Sequence, residues 1–162
     1  MIDPSHLRNT LRYWASGVSV VTTSDGIRRS GMTVSAFNSL SIDPPMILVC
    51  LSKEASTAQL VQTTRHFAVS ILGYQHHDIS DRFAGRIPFA DKEERFTGIA
   101  THHAVTGSPI LSDAIAWLDC RIATQHDGNT HWIVIGEVVA TNQQPDQPLL
   151  YFDRNYRTLA SE

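Results

Sequence analysis

The 162-residue chain has few cysteines, little charge and no long apolar run. Its two cysteines, Cys50 and Cys120, lie in apolar segments without C-x-x-C or zinc-ligand spacing, which favours buried thiols in a reducing cytoplasm over a disulfide framework. No apolar stretch reaches the roughly 18 residues of a membrane span. The N-terminus has neither a basic nor an apolar signal region. The sequence therefore predicts a cytoplasmic protein that does not associate with membranes.

Charged residues make up only 18% of the chain, and the net charge is -3. The basic residues are scattered, and Arg28-Arg29 is their densest group, which argues against nucleic acid or anionic lipid as a partner. The histidine pairs 76–77 and 102–103 lack zinc spacing, so no metal is expected. P-loop, dinucleotide and G-x-S-x-G motifs are absent. Low charge with 42% hydrophobic residues indicates that a partner subunit covers some of the surface.

Apolar periodicity predicts a mainly β domain with a few short helices, extending over residues 1–162. Helices are expected after Pro4 with Ser5 as cap, from the capping box at Ser56, and over residues 76–84. An excursion over residues 86–113 should run on the surface, and the aromatic tail from Leu149 should dock on the domain. Six strands are expected, at residues 17–23, 30–37, 46–51, 67–72, 116–123 and 131–141. The number and spacing of these strands favour an antiparallel barrel.

The most unusual stretch is the predicted strand ending at residues 33–37. Its alternation puts Thr33, Ser35 and Phe37 on one face and Val34 and Ala36 on the other. Two hydroxyls beside an aromatic ring suit a flavin, which needs hydrogen-bond partners and flat apolar contact. A strand with its hydroxyls facing solvent would have the same pattern.

Three other segments could contact an anion or a cofactor. Ser52, Lys53, Ser56 and Thr57 stand at a predicted helix start, where free amides favour a phosphate, although a plain capping box gives the same pattern.

His131 opens a strand after a turn, either facing a cleft or simply exposed. Arg82 and Phe83 end a helix, where the arginine could pair with a phosphate or merely complement the helix dipole.

Several blocks of sequence resemble the short-chain flavin reductase family. These blocks are GVSVVTT (17–23), GMTVSAFNSLSIDPPMILVCL (31–51), FAVSIL (67–72), DRFAG (81–85), SPIL (108–111), AWLDC (116–120), HWIVIGEV (131–138) and PLLYF (148–152). GMTVSAF followed by DPP and an apolar strand is the most specific of them. The family comprises the reductase components of two-component flavin-dependent monooxygenases, of the 4-hydroxyphenylacetate 3-monooxygenase reductase type.

This resemblance implies a six-stranded Greek-key split β-barrel that forms a homodimer with flavin at the subunit interface. The implied flavin contacts are Thr33, Val34, Ser35, Ala36 and Phe37, with Ser39, Cys50, Ser52, Ser56 and Thr57 nearby and Phe83 at the far side. His131 is implied beside the nicotinamide, and Tyr156 is a further candidate. The segment Lys53-Glu54 and the loop over residues 86–103 depart from the family pattern, so the resemblance does not assign the phosphate and adenine contacts.

The implied reaction transfers a hydride from NADH or NADPH to FMN or FAD, and the reduced flavin passes to a partner oxygenase. A non-catalytic flavin-binding split barrel is an alternative, because the same fold can hold flavin without turnover. An oxidase of the pyridoxamine-phosphate type shares the barrel, but GMTVSAF does not support it. The sequence does not decide whether the flavin is FMN or FAD, or whether the hydride donor is NADH or NADPH.

Overall fold

The computed structural model describes residues 2–160, apart from the side chain of Lys92. Met1, Ser161 and Glu162, at the ends of the predicted domain, lie outside the described residues. The helices are α1 (Pro4–Leu11), α2 (Ser56–Thr64), α3 (His77–Phe83) and a 3-10 helix (Lys92–Phe96). The strands are β1 (Ser16–Gly17), β2 (Ser19–Ser24), β3 (Arg29–Val34), β4 (Phe37–Ser41), β5 (Met46–Ser52), β6 (His66–Ile71), β7 (Thr101–His102), β8 (Ile110–Leu111), β9 (Ala116–Gly128), β10 (His131–Gln143), β11 (Leu150–Phe152) and β12 (Asn155–Arg157). No helix in the range 2–160 is long and apolar enough to span a bilayer.

Seven strands form one antiparallel sheet in the order β3-β2-β6-β9-β10-β5-β4. Its two edge strands, β3 and β4, are separated in sequence only by Ser35 and Ala36, which extend the chain by about 7 Å. The Cys50 amide donates to the Ala36 carbonyl at 3.0 Å, so the pairing reaches into this bend. Because its two edges are joined by so short a segment, the sheet curls back on itself as a barrel.

The predicted six-stranded barrel is confirmed when β3 and β4 are counted as one bent strand. β2, the bent strand and β5 follow one another as antiparallel neighbours, and β6 returns to pair with β2. That spatial order is a Greek key. The chain passes from β5 to β6 through α2, and the later β9-β10 hairpin fills the space between those two strands.

Two apolar cores lie on opposite faces of β2. Val21 belongs to the core inside the barrel, together with Val49 and Phe67. Its neighbour Val20 faces an outer core that includes Phe83 and Phe96. The continuous apolar run over residues 46–51 would suit a strand buried on both sides, but burial alternates along β5, and Met46, Leu48 and Cys50 are only half-buried.

The helix caps differ from the sequence prediction. α1 is capped by Asp3, which accepts from the Ser5 amide at 2.8 Å, and Ser5 itself is not the cap. α2 has Ala55 at its N-cap and no side-chain cap, so the predicted capping box is wrong. The helix begins one residue earlier than the box requires, so Ser56 lies in its first turn, and the hydroxyls of Thr57 and Ser56 lie 2.8 and 3.3 Å from the Ser30 hydroxyl.

The excursion over residues 86–113 is more structured than predicted. It contains the 3-10 helix and the β7-β8 pair, and Phe96, Ile110 and Leu111 are buried. The fully buried carboxylate of Asp119 holds the loop by accepting from the Val105 and Thr106 amides at 2.7 and 2.8 Å. Buried polar groups need such partners, so this segment is part of the folded structure rather than a surface loop.

The aromatic tail docks as predicted. Leu149 is buried in the outer core, and Tyr151 and Tyr156 pack against it. The Tyr156 hydroxyl lies 2.6 Å from Asp81 Oδ1 and 2.9 Å from Ser80 Oγ, and Arg86 donates to Asp81 at 2.7 Å. The hydrogen bond from Tyr156 holds the pKa of Asp81 below its usual value. The tail therefore fixes the position of α3.

This network predicts a pH effect in Tyr156→Phe. A lowered pKa in the folded state stabilises the fold above the unfolded pKa of Asp81, and that contribution is lost as pH falls through the folded value. Without the Tyr156 hydroxyl, we expect the Asp81 pKa to rise and the acid-side loss of stability to shrink, as measured by NMR titration and unfolding at pH 3 and 6. Tyr151→Phe is the control, because the Tyr151 hydroxyl accepts from Arg86 and makes no hydrogen bond to Asp81. An unchanged Asp81 pKa in Tyr156→Phe would contradict this interpretation.

Candidate functional site

Three of the predicted segments meet at a cleft of about 220 Å³, which we call the Arg95 cleft. β3 contributes one wall, the start of α2 the second and the end of α3 the third, while the 3-10 helix closes it. The lining residues are Met32, Thr33, Ala55, Ser56, Thr57, Phe83, Ala84 and Arg95. Thr33, Ser56, Thr57 and Phe83 are the sequence candidates that the structure brings together here.

The start of α2 presents polar groups without a cap of its own. α2 is nine residues long, and no side chain caps its first turn, which leaves amides of that turn free for a ligand. The hydroxyls of Ser56 and Thr57 lie beside these amides and contact Ser30. An uncapped helix N-terminus with adjacent hydroxyls is a favourable position for an anion.

Arg95 supplies the positive charge, and the sequence interpretation missed it. Its Nε is buried without a hydrogen-bond partner, the only such side-chain nitrogen or oxygen among the described residues. Its Nη1 makes only long contacts of 3.5 Å to the Gly31 and Phe83 carbonyls. A buried guanidinium nitrogen without an acceptor is costly unless a ligand supplies one. The cleft therefore fits an anionic group such as the phosphate of a flavin nucleotide.

The sequence contained a partial signal for this position. Asp91 caps the 3-10 helix by accepting from the Glu93 amide at 3.0 Å, and an aspartate before such a run is a recognisable helix start. That signal predicts a helical turn. It does not predict that Arg95, at the end of the turn, reaches a cleft lined by β3 and α2, because this depends on how the excursion packs.

The position of α3 depends on close packing against β3. The Phe83 ring lies on Gly31, where an added Cβ would come within 2.7 Å of the ring. The Thr33 hydroxyl donates to the Ser80 carbonyl at 2.7 Å, and the Phe83 and Phe96 rings pack edge to face at 4.9 Å. Phe83 is almost fully buried, so it is mainly a core residue with one edge at the cleft.

The other residues of the 33–37 segment lie at the bend. Ser35 and Ala36 are exposed and lie between β3 and β4, so the backbone groups of the bend other than the Ala36 carbonyl, which accepts from Cys50, are accessible to a ligand. Val34 points into the barrel core, which leaves only its backbone for a ligand.

Ser35 and Phe37 line a second cleft of about 340 Å³ together with Trp14, and we call it the Trp14 cleft. The bend breaks the alternation that the sequence predicted, because Val34 and Phe37 both pack against the inner core.

Three further candidates lie along β4 and β5. Ser39 is exposed on β4, and Cys50 is half-buried on β5, where burial raises the pKa of its thiol. Ser52 ends β5, opposite His131 of β10 in the strand register. None of these three lines the Arg95 cleft.

His131 and Lys53 form a separate group beside α2. His131 is exposed, with its Nδ1 2.9 Å from the Thr130 hydroxyl. The Lys53 ammonium pairs with Asp127 at 2.6 Å and lies 4.4 Å from the centre of the Trp132 ring. The lysine side chain is thus held on the β9-β10 hairpin and does not line the Arg95 cleft.

Arg82 and Tyr156 also lie outside the Arg95 cleft. Arg82 donates to the Thr97 carbonyl at 2.7 Å and lies 5.4 Å from the centre of the Phe89 ring. Tyr156 contacts α3 from the tail, through Ser80 and Asp81. Both side chains brace the elements around the cleft without lining it.

Several known proteins are similar to this chain over most of its length. The reductase component of the 4-nitrophenol 4-monooxygenase/4-nitrocatechol 2-monooxygenase of Rhodococcus opacus is 39% identical over 152 residues, covering 93% of this chain and 78% of that protein. FMN reductase (NADH) RutF of Agrobacterium fabrum is 37% identical over 153 residues, covering 94% of this chain and 86% of that protein.

Among solved structures, the NADH:FAD oxidoreductase SgcE6 of Streptomyces globisporus superposes with a TM-score of 0.90 at 30% identity, over 99% of this chain and 98% of that one. The family model described as flavin reductase like domain matches residues 11–160. The bent strand, the α2 start and the α3 end that form the Arg95 cleft all lie within this match. The chain therefore belongs to the flavin reductase like domain family.

Proposed function

We propose that this chain transfers a hydride from NADH or NADPH to a flavin and supplies the reduced flavin to a partner oxygenase. The observation that carries the proposal is the Arg95 cleft, where the buried Nε of Arg95 has no acceptor and the start of α2 has no side-chain cap. Supply of an oxygenase is supported by the Rhodococcus opacus relative, which is named as the reductase component of a monooxygenase. The bound flavin would accept the hydride, and the protein would bind and orient it.

In this proposal the flavin phosphate lies against Arg95, Ser56 and Thr57. The Nε of Arg95 would gain the acceptor that it lacks, and the α2 amides would gain a cap. From Thr33 the strand continues about 7 Å to the bend at Ser35 and Ala36. The unpaired backbone groups of that bend would hydrogen-bond the flavin ring, and Phe37 would border it.

NADH oxidation by the purified protein tests the function. We expect oxidation only when FMN or FAD is added; a protein that binds flavin but does not oxidise NADH or NADPH would instead be the non-catalytic flavin-binding barrel.

Arg95→Met tests the proposed phosphate-binding position at Arg95, Ser56 and Thr57, which we call the phosphate seat. Loss of a charge-assisted hydrogen bond costs about 1.5–3 kcal/mol, so flavin binding should weaken roughly 10- to 100-fold in calorimetric titrations without NADH. Arg82→Met is the control, because Arg82 contacts Thr97 and should leave flavin affinity within about twofold of wild type. The seat would be wrong if Arg82→Met lost affinity and Arg95→Met did not.

We propose that His131 positions the nicotinamide. It is exposed and lies opposite Ser52, and the carbonyl of the preceding Thr130 accepts at 3.1 Å from the Lys53 amide in the turn that leads into α2. His131→Ala should raise the KM for NADH about tenfold, the effect of losing roughly one hydrogen bond, and leave the flavin Kd within about twofold. His126→Ala on the same hairpin is the matched control, and NADH kinetics unchanged in His131→Ala would refute the role.

We also propose a homodimer. α1 contributes no buried residue, and Tyr13 and Trp14 are both 75% exposed, while Trp14 also lines the cleft beside Ser35 and Phe37. A second copy would cover this apolar surface and complete the ring side of the flavin site.

Sedimentation equilibrium should give about twice the chain mass of 18.0 kDa, and Trp14→Ser should shift the protein toward the monomer and weaken flavin binding. Ile27→Ser, at a hairpin tip where the side chain is 90% exposed, should change neither property. A wild-type monomer at micromolar concentration would contradict the dimer.

A cytoplasmic location is part of the proposal. Its support is the pair of free cysteines, Cys50 and Cys120, which are typical of a reducing compartment.

A further inference from the structure

A larger cleft, of about 430 Å³, lies on the other side of Ser56. We call it the Arg28 cleft; its lining includes Arg28, Arg29, Gln59, Leu60 and Thr63 as well as Ser56. Its volume falls in the range of cavities that hold small molecules. The function proposed above gives no role to this cleft.

One face of α2 forms a wall of the Arg28 cleft. Ser56, Gln59, Leu60 and Thr63 follow the i, i+3, i+4, i+7 spacing of a single helix face. From Ser56 to Thr63 this face runs about 10 Å along the helix axis. It begins at the proposed phosphate seat, because Ser56 lines both clefts and Ser30, in the Arg28 cleft, contacts Thr57 in the Arg95 cleft.

The chemistry of the Arg28 cleft is mixed rather than purely cationic. Arg28 is paired with Asp25 at 2.9 Å, and the Arg29 guanidinium lies 4.5 Å from the centre of the Phe96 ring. Asp91 and Glu93 bring two carboxylates, and Glu93 accepts from the Arg29 amide at 3.1 Å. Guanidinium groups can pair with a phosphate or stack on a base, while carboxylates and amides accept from ribose hydroxyls and an amino group. This combination matches a nucleoside phosphate better than a simple anion.

We infer that the Arg28 cleft holds the adenosine monophosphate half of FAD, so that this chain binds FAD in preference to FMN. The inference rests on the proposed function, since it takes the flavin phosphate at Arg95 as its starting point. FMN ends at that phosphate and leaves the cleft empty, whereas FAD continues past Ser56 along the α2 face. The adenine half of a nicotinamide nucleotide has the same chemistry, but it has no covalent link to the phosphate seat and its proposed partner, His131, does not line this cleft.

The test compares FAD and FMN binding by calorimetry without NADH, in wild type and in Gln59→Trp. Gln59 is exposed, so the indole should fill the cleft without disturbing the core. We expect wild type to bind FAD at least tenfold more tightly than FMN, and Gln59→Trp to lose that preference while its FMN affinity stays within twofold. Gln75→Trp, the same change at an exposed position outside the cleft, should behave as wild type.

The remaining outcomes separate the two proposals. Equal affinity of wild type for FAD and FMN would overturn this inference and leave the flavin reductase function intact. Gln59→Trp could instead keep the FAD preference and show a higher KM for NADH, measured with FMN as the flavin. That result would assign the cleft to the nicotinamide nucleotide and would also overturn the inference. Failure of wild type to bind either flavin would refute the proposed function itself. Because the wild-type preference is measured directly, poor folding of Gln59→Trp would still leave the inference falsifiable.

Discussion

Closure of the barrel by the bend at Ser35 and Ala36 is the constraint on which the rest of the structure depends. The bend joins the two edges of the sheet, so a single chain segment pairs with β2 on one side and β5 on the other. It also interrupts the ladder and leaves backbone groups unpaired where the proposed flavin ring lies. Closure and ligand access thus come from the same two residues, which is why a strand break is tolerated there.

The Arg95 cleft also requires α3 to pack closely against β3. The absence of a side chain at Gly31 lets the Phe83 ring approach, and the Thr33 hydroxyl fixes the helix backbone through Ser80. On its far side, α3 is held by Tyr156 of the tail. The last strands of the chain therefore contact α3, whose end forms one wall of the Arg95 cleft, while Tyr156 does not line the cleft.

Sequence patterns predicted the strands, the docking of the tail and four of the residues that line the Arg95 cleft. These features depend on local alternation, turn residues and apolar content, which can be read along the chain. The bend was missed because no glycine or proline marks Ser35-Ala36. Arg95 was missed because its role depends on packing between distant segments, and the α2 cap was wrong because the helix begins one residue earlier, with Ala55 at its N-cap.

The uncapped start of α2 links ligand binding to the lifetime of the folded protein. A phosphate bound there would complete the hydrogen bonding of the first turn only in the folded state, so free flavin would shift the folding equilibrium by mass action. At a hundred times the Kd, such a ligand stabilises a protein by about 2.7 kcal/mol. In a cell that depletes its flavin, the reductase would then unfold and be degraded sooner, so the supply of the substrate would also regulate the amount of the enzyme.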